Sequence, residues 1–428
     1  MTLVQEKNEM QNVFDILTER GFVFQTTSND VSEKLESPIT FYVGFDTTAD
    51  SLHVGHLLPI MGMRWLQKFG HTPIALVGGA TAIVGDPTGR TSSRPIMTTE
   101  TINTNVQGIK EQLSKLLNFN PSISNPAILV NNNWWLEQVN YLSFLREFGA
   151  MFNVNRMLQM DSVKSRLEQK DGLSFLEFNY MILQAFDFFH LKQSYNCTFQ
   201  FGGQDQWGNI LSGIELTRKK LSEEVFGVTF PLLLKSNGEK FGKSAGGSIW
   251  LDQNKTSAFD FFQFWRNCDD SDVRKLLLFF TELPKDEINS IIDVNINKAK
   301  EILAFEITKL VHSKKDAINA FTMCVNSFGT SDPNMQIKTS SDICYIEETP
   351  VTKIERDVIG EIIKLPSLLV ALKMCETTTE ARQLINGLAV SIDGVKTRDV
   401  NSWFTVQDFQ TPKLIKVGKK KQIKIVVE

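Results

Sequence analysis

Two apolar runs separated by one helical stretch constrain this chain most. Residues 39–45 read ITFYVGF and residues 73–79 read PIALVGG. Both are rich in β-branched and aromatic residues and carry no charge, as strands buried on both faces do. Between them Leu57, Leu58, Ile60, Met61 and Trp65 recur at helical spacing from His53 to Phe69, and Gly70 stops the helix. Strand, helix, strand over so short a span is a βαβ unit. It predicts an α/β fold with a doubly wound parallel sheet covered by helices on both faces. TFQFGGQDQWGN, at 198–209, reads as a third core strand and its loop.

The remaining chain divides by pattern. Residues 9–24 predict a short helix ending at Gly21, and 100–195 are mostly helical in period. A linker is expected at 231–257, a helical domain at 258–330, a second linker at 331–360 and a small α+β module at 361–428, with residues 1–230 forming the first domain. A length of 428 residues accommodates such a division at about 150 residues per domain. No stretch approaches the ~18 apolar residues of a membrane helix, so no membrane association is expected. The five cysteines are scattered without a CxxC pair, which predicts neither a zinc site nor a redox pair and fits a reducing compartment. Acidic and basic residues mix in the first 20 positions, unlike a signal or transit peptide, so a cytoplasmic location is expected before a mitochondrial matrix. The net charge of −4 argues against a nucleic-acid binder until it is divided. Residues 361–428 hold 11 Lys+Arg against 7 Asp+Glu, while the rest holds 34 against 42: an acidic body carries a basic module.

Several constellations carry chemistry. Asp46 to His56 bridges a strand end and a helix start, where an open α/β sheet forms its ligand crevice and a helix offers free N–H groups to phosphate. His53 and His56, two of only five histidines, share one face of the first turn and suit hydrogen bonds to phosphoryl oxygens. Gly55 between them leaves room for a nucleotide, although histidines that merely cap a helix fit the same pattern. Gly78-Gly79-Ala80-Thr81 and Gly85-Asp86-Pro87-Thr88-Gly89-Arg90 follow the second strand; Asp86 suits an ammonium group, and Arg90 or Arg94 a phosphate. An ordinary strand-to-helix turn also explains them. Tyr180, Gln184 and Asp187 stand four and three apart, on one face of an otherwise apolar helix, as either a ligand-facing or a solvent-facing stripe. This chain uses Phe 31 times and Tyr 5 times, so Tyr180 and Tyr42 inside Phe-rich runs point to needed hydroxyls. Gly203 and Asp205 end the third strand and suit ribose hydroxyls. Lys240 and Lys243, with Ser244, lie on a glycine-flanked loop able to close over a polyphosphate, although a lone KxxKS is more often a surface turn.

Taken together, these blocks resemble the class I aminoacyl-tRNA synthetases, most closely the tyrosyl-tRNA synthetases of bacterial and organellar type. His53-Val54-Gly55-His56 is similar to the family's HIGH signature, and Lys240-Phe241-Gly242-Lys243-Ser244 to its KMSKS loop. FYVGFDTTADSLHVGH, ALVGGATAIVGDPTGR, FNYMILQAFDF and GGQDQWGN match in order and spacing. The C-terminal module resembles a small RNA-binding unit of a ribosomal protein, through PSLLVALKMCETTTEARQLINGLAVSIDGVKTRD.

The resemblance implies a Rossmann-like catalytic domain whose helical insertion, around 140–190, supplies a homodimer interface, and an anticodon-arm role for the helical domain. It implies that Tyr42 and Asp187 bind the phenolic hydroxyl of tyrosine, that Asp86, Tyr180 and Gln184 hold its ammonium group, and that Gln206 lies near its carboxyl group. Gly44, Asp46, Gly55, His56, Gly203 and Asp205 would face the adenylate. His53, Lys240, Lys243 and Ser244, with Arg90 and Arg94, would stabilise the triphosphate and the departing pyrophosphate. ATP with Mg2+ is expected as a substrate complex rather than a tightly bound cofactor, and no metal site of the protein's own. The partners implied are L-tyrosine, ATP and tRNA(Tyr). Arg382, Lys396, Arg398, Lys419, Lys420 and Lys421 are candidate phosphate contacts. Val43 replaces a cysteine common in relatives, and Gln204 a serine. A tryptophan enzyme of the same fold would lack the Tyr42/Asp187 pair, and a non-catalytic RNA-binding relative would lack the histidines and loop lysines.

Overall fold

A computed structural model describes residues 12–88, 97–169, 172–244, 247–333, 336–345, 351–418 and 421–427. The chain forms two compact units, one up to Thr256 together with Lys275–Phe280, the other from Ser257–Arg274 and Thr281 onward.

The first unit is built on six strands: β1 (Gln25–Thr26), β2 (Thr40–Asp46), β3 (Thr72–Gly78), β4 (Ile128–Asn131), β5 (Cys197–Gly203) and β6 (Phe226–Phe230). Their order is β1-β6-β5-β2-β3-β4. Every neighbouring pair is parallel except β1, which runs antiparallel to β6 at the edge. The chain leaves β2 toward β3 and β4, then returns on the other side to β5 and β6. That reversal opens a crevice beyond the carboxyl ends of β2 and β5. The three strands read from the sequence are β2, β3 and β5. Those not anticipated, β1, β4 and β6, are five residues or shorter, and periodicity does not separate runs that short from buried helix.

Helix Leu57–Lys68 packs its apolar side on the sheet and ends before Gly70, whose φ is +92°. Helices Tyr180–Tyr195 and Trp207–Leu221 flank β5. Between β4 and β5 lie short helices, including Tyr141–Glu147, Val154–Met157 and Asp161–Leu167. Here Arg166 is fully buried and paired with Glu177 at 3.2 Å.

The second unit holds helices Ala258–Arg266, Lys285–Val294, Ile296–Val311 and Lys314–Phe328. Described residues of the stretch read as linker at 331–360 are tied to their surroundings. Ser340 donates through both its N–H and its Oγ to Glu287, at 2.7 and 2.8 Å, and Asp342 pairs with Lys309 and Lys314. Further on, β9 (Val351–Ile354) pairs parallel with the last strand, and Ile354 and Ile359 enter the module's core. Local pattern missed this because β9 finds its partner only at the far end of the chain. The module comprises β9, β10 (Ile363–Lys364), β11 (Val390–Ile392), β12 (Val395–Lys396), β13 (Trp403–Phe404), β14 (Lys413–Val417) and β15 (Lys421–Val427), numbered after a two-stranded pair of the first unit described below. Five of these form a sheet in the order β12-β11-β14-β15-β9. Among the described residues no helix is long and apolar enough to cross a membrane.

Candidate active site

The crevice is a cavity of about 320 Å³, lined from β2, β3, β5 and helix Tyr180–Tyr195. Its lining includes the sequence candidates Tyr42, Gly44, Asp46, His53, Gly55, His56, Asp86, Tyr180, Gln184, Asp187, Gly203, Asp205 and Gln206. Alternation along the strands explains part of this: Tyr42 on β2 stands opposite Gln200 on β5, so their side chains share one face.

One end of the cavity is buried. Tyr42 is 1% exposed, and its Oη is buried without a hydrogen-bond partner. Burial first, and then the charge of Asp187, push its phenol well above the ordinary range, so it stays a donor. Asp187 is also buried. Asn132 Nδ2 donates to its Oδ2 at 3.0 Å and Trp135 Nε1 to its Oδ1 at 2.8 Å. Burial raises the carboxyl to about 7 despite these two donors. A donor hydroxyl beside an acceptor carboxylate is the complement of a phenol.

Asn132 also donates to Thr81 Oγ1 at 2.9 Å and accepts from Ala80 N at 2.9 Å. It thereby ties the end of β4 and the turn after β3 to Asp187. Sequence reasoning missed Asn132, Trp135 and Gln200. The run NNNWW at 131–135 carries no periodic signal, and β4, which positions it, was itself unrecognised.

The middle of the cavity is acidic. Asp86 accepts from Thr88 N at 2.9 Å and from Gln206 Nε2 at 2.8 Å. Gln184 Nε2 donates to Gln206 Oε1 at 3.3 Å, and Asn209 Nδ2 donates to both amide oxygens at 3.0 Å. Tyr180 Oη donates to Asp46 Oδ1 at 3.2 Å. These bonds turn donors of Gln206, Asn209 and Tyr180 onto acceptors within the ring, and Asp86, Tyr180 and Gln184 bring oxygen atoms to the cavity lining. Burial and then the Asp46 charge hold Asp86 above the usual carboxylate range, and burial does the same for Asp205. A cation entering here relieves both.

The other end holds the two signatures. His53 caps a turn at Val54–His56: its Nδ1 accepts from Gly55 N at 3.0 Å, while His56 Nδ1 accepts from His53 N at 3.1 Å. The histidines therefore do cap, and the same bonds fix their chemistry. With Nδ1 accepting, His56 carries its proton on Nε2, and burial holds the ring neutral by lowering it to about 3. A neutral imidazole N–H donates to a phosphoryl oxygen without adding charge. The rings stand 4.0 Å apart. Gly55 has a reason beyond nucleotide access: a Cβ there lies 2.9 Å from His53 Cε1.

The loop is fastened to this turn. β7 (Lys243–Ser244) pairs with β8 (Gly247–Ser248), Ile249 N donates to Gly242 O, and Val54 N donates to Ile249 O, both at 3.0 Å. Gly242 has φ +90°, and a Cβ on it lies 3.2 Å from Val54 Cβ, so the two signatures meet at their small residues. Lys240 is exposed, outside the cavity lining, and its charge reaches Asp205. Lys243 and Ser244 are placed by their backbone alone, and Arg90 and Arg94 lie outside the described residues. Val43 lines the cavity, and Gln204 Oε1 accepts from Leu232 N at 3.2 Å, which gives that departure a structural task.

In the basic module Arg382, Lys396 and Arg398 are exposed, on helix Thr378–Asn386, on β12 and just beyond β12. Lys419 and Lys420 lie outside the described residues, and Lys421 is placed by its backbone at the start of β15.

Comparison with known proteins follows the same lines. Residues 33–329 match the family model described as tRNA synthetases class I (W and Y). The chain is 43% identical over 425 residues to a tyrosine–tRNA ligase of Clostridium kluyveri, covering 98% of this chain and 100% of that protein. It is 46% identical over 419 residues to one from Acetivibrio thermocellus, covering 96% and 98%. Among solved structures, a C-terminally truncated Aspergillus nidulans mitochondrial tyrosyl-tRNA synthetase superposes with a TM-score of 0.67 at 32% identity, over 74% of this chain and 94% of that one. A cavity that pairs a buried phenol with a carboxylate, holds an acidic middle and ends in two capping histidines sits inside that match: the chain belongs to the tyrosyl-tRNA synthetase family of class I aminoacyl-tRNA synthetases.

Proposed function

We propose that this chain joins L-tyrosine to tRNA(Tyr) in two steps at the cavity of the first unit. The observation that carries the reading is the buried pair Tyr42 and Asp187, one an unpartnered donor and the other an acceptor. The substrate phenol donates to Asp187 and accepts from Tyr42. Its ammonium group enters the acidic middle, against Asp86, Tyr180 and Gln184, and Gln206 orients the carboxylate beside it.

That carboxylate attacks the α-phosphorus of ATP, the bond to the β-phosphate oxygen breaks, and pyrophosphate leaves. The terminal hydroxyl of tRNA then attacks the adenylate carbonyl and AMP leaves. Neither step needs a protein nucleophile; holding the reactants in line and meeting the charge that develops suffice. His56 donates from Nε2 to phosphoryl oxygens, with His53 beside it. Lys240, Lys243 and Ser244, aided by Arg90 and Arg94, neutralise the departing pyrophosphate. Gly44, Asp46, Gly203 and Asp205 face the adenylate. Magnesium arrives with ATP, held chiefly by phosphate oxygens.

The division of labour follows the expected domains: residues 1–230 with the loop at 231–257 for chemistry, and 258–330 with 361–428 for holding tRNA. A homodimer is supported by apolar side chains left in water on the insertion, including Leu142 at 73% and Phe175 at 70% exposure. A cytoplasmic location is supported by the buried thiols of Cys197, Cys268 and Cys324, which are not in disulfides. Tyrosine-dependent ATP–pyrophosphate exchange tests the chemistry. Exchange with tryptophan in place of tyrosine would refute the specificity, and transfer to a bacterial-type tyrosine tRNA tests the second step.

A further inference from the structure

The C-terminal module presents an aromatic and a basic side chain as a cross-strand pair in water. β10 and β13 run antiparallel, with Ile363 opposite Phe404 and Lys364 opposite Trp403. Alternation sends the first pair inward. Ile363 belongs to the module's core, and Phe404 packs on it with its ring 5.5 Å from that of Phe409. Alternation sends the second pair outward: Trp403 is 60% exposed and Lys364 is exposed. Ile362, two positions before Lys364 and so on the same face, is also 60% exposed.

The support beneath this pair is fixed. Leu365 N donates to Ser402 O at 2.8 Å, closing the ribbon. Asp399 accepts from Asn401 N at 2.9 Å and from Ser402 Oγ at 3.0 Å, locking the turn that leads into Trp403. The backbone that carries the indole is thus held in place before any partner arrives. An indole left in water on a rigid ribbon, in a module with a net charge of +4, selects a partner that brings both a π-face and a negative charge. Single-stranded nucleic acid brings both, one base and one phosphate per nucleotide.

We propose that Trp403 is a stacking platform for one unpaired nucleobase of the bound RNA, with Lys364 meeting the adjoining phosphate. This rests on the reading that the module binds tRNA.

The test uses the full chain and a tyrosine tRNA transcript, with affinity measured over a series of salt concentrations. Trp403→Ala is expected to weaken binding by about 5- to 150-fold, the range for loss of one stacked base, with no change in salt slope. Trp403→Phe retains most of the affinity. Trp403→Leu, which keeps apolar bulk but loses the ring, behaves like the alanine variant and separates stacking from folding. Lys364→Ala is expected to lower the salt slope by about one. Pyrophosphate exchange is unchanged in all four. Wild-type affinity in Trp403→Leu, while a triple alanine variant of Arg382, Lys396 and Arg398 loses tRNA, overturns the platform and leaves the module's role standing. Wild-type affinity in that triple variant and in Lys364→Ala overturns the module's role itself. A change of oligomeric state in Trp403→Leu without loss of tRNA affinity reassigns the indole to a protein contact and also overturns the proposal.

Discussion

Removing the hydroxyl of Tyr42 is expected to act in opposite directions on stability and on substrate use. The Oη is buried with no hydrogen-bond partner, so the free protein already bears the desolvation cost of that group, about 1–3 kcal/mol. Tyrosine relieves the cost by presenting its phenolic oxygen; phenylalanine does not. In Tyr42→Phe the free protein sheds the cost, and the tyrosine complex loses the relief. At 1.36 kcal/mol per factor of ten, kcat/KM for tyrosine falls by about 5- to 150-fold. The value for phenylalanine stays within about twofold, because neither protein offers it a partner at that position. Melting without ligand moves up by about 2 °C or more, at about 2–4 °C per kcal/mol for a body of this size. Exchange assays with both amino acids measure the first effect, and calorimetry with and without tyrosine the second. A variant that melts lower without ligand and keeps the wild-type ratio of tyrosine to phenylalanine would refute the reasoning, because the hydroxyl would then serve the fold.

Further outcomes follow from the same geometry. Burial raises Asp187 to about 7 from 3.8, so tyrosine use rises between pH 6 and pH 8 as the acceptor ionises, a rise absent in Asp187→Asn. The same shift has a definite sign for stability: the folded state holds this proton more tightly, so the contribution is fullest below about pH 4 and is lost as pH rises through 7. Asn132→Ala deletes a donor to that carboxylate, worth about 1.5–3 kcal/mol, and moves the pH profile for tyrosine upward; an unmoved profile would sink the positioning role. Gly242→Ala forces a side chain into φ +90° against Val54, at a cost of about 1–2 kcal/mol. Exchange falls while tyrosine affinity, read by equilibrium dialysis, stays as in wild type. Leu142→Glu combined with Phe175→Glu yields a monomer in sedimentation analysis, and a dimer in that variant would exclude the insertion as the interface.

Much of the catalytic unit was legible in the chain itself. The runs at β2, β3 and β5 are apolar because both faces are covered, and a glycine-rich or histidine-bearing turn follows each at the end where ligands bind. Spacings of three and four placed Tyr180, Gln184 and Asp187 on one helix face, and the cavity lining holds all three. Charge, once divided, separated an acidic body from a basic module. Tertiary structure decided what depends on groups far apart in sequence. The unpartnered state of Tyr42 exists only once β5 and the helix from Tyr180 close over it. Asn132 reaches Asp187 across 55 positions, and β9 pairs with a strand at the opposite end of its module. Hydrogen bonds and burial of this kind have no local period, so no window of sequence records them. The bonds from Gly55 N to His53 Nδ1 and from His53 N to His56 Nδ1 are different: their partners are near in sequence and fix the tautomers locally, while the neutrality of His56 comes from burial, which the fold alone supplies.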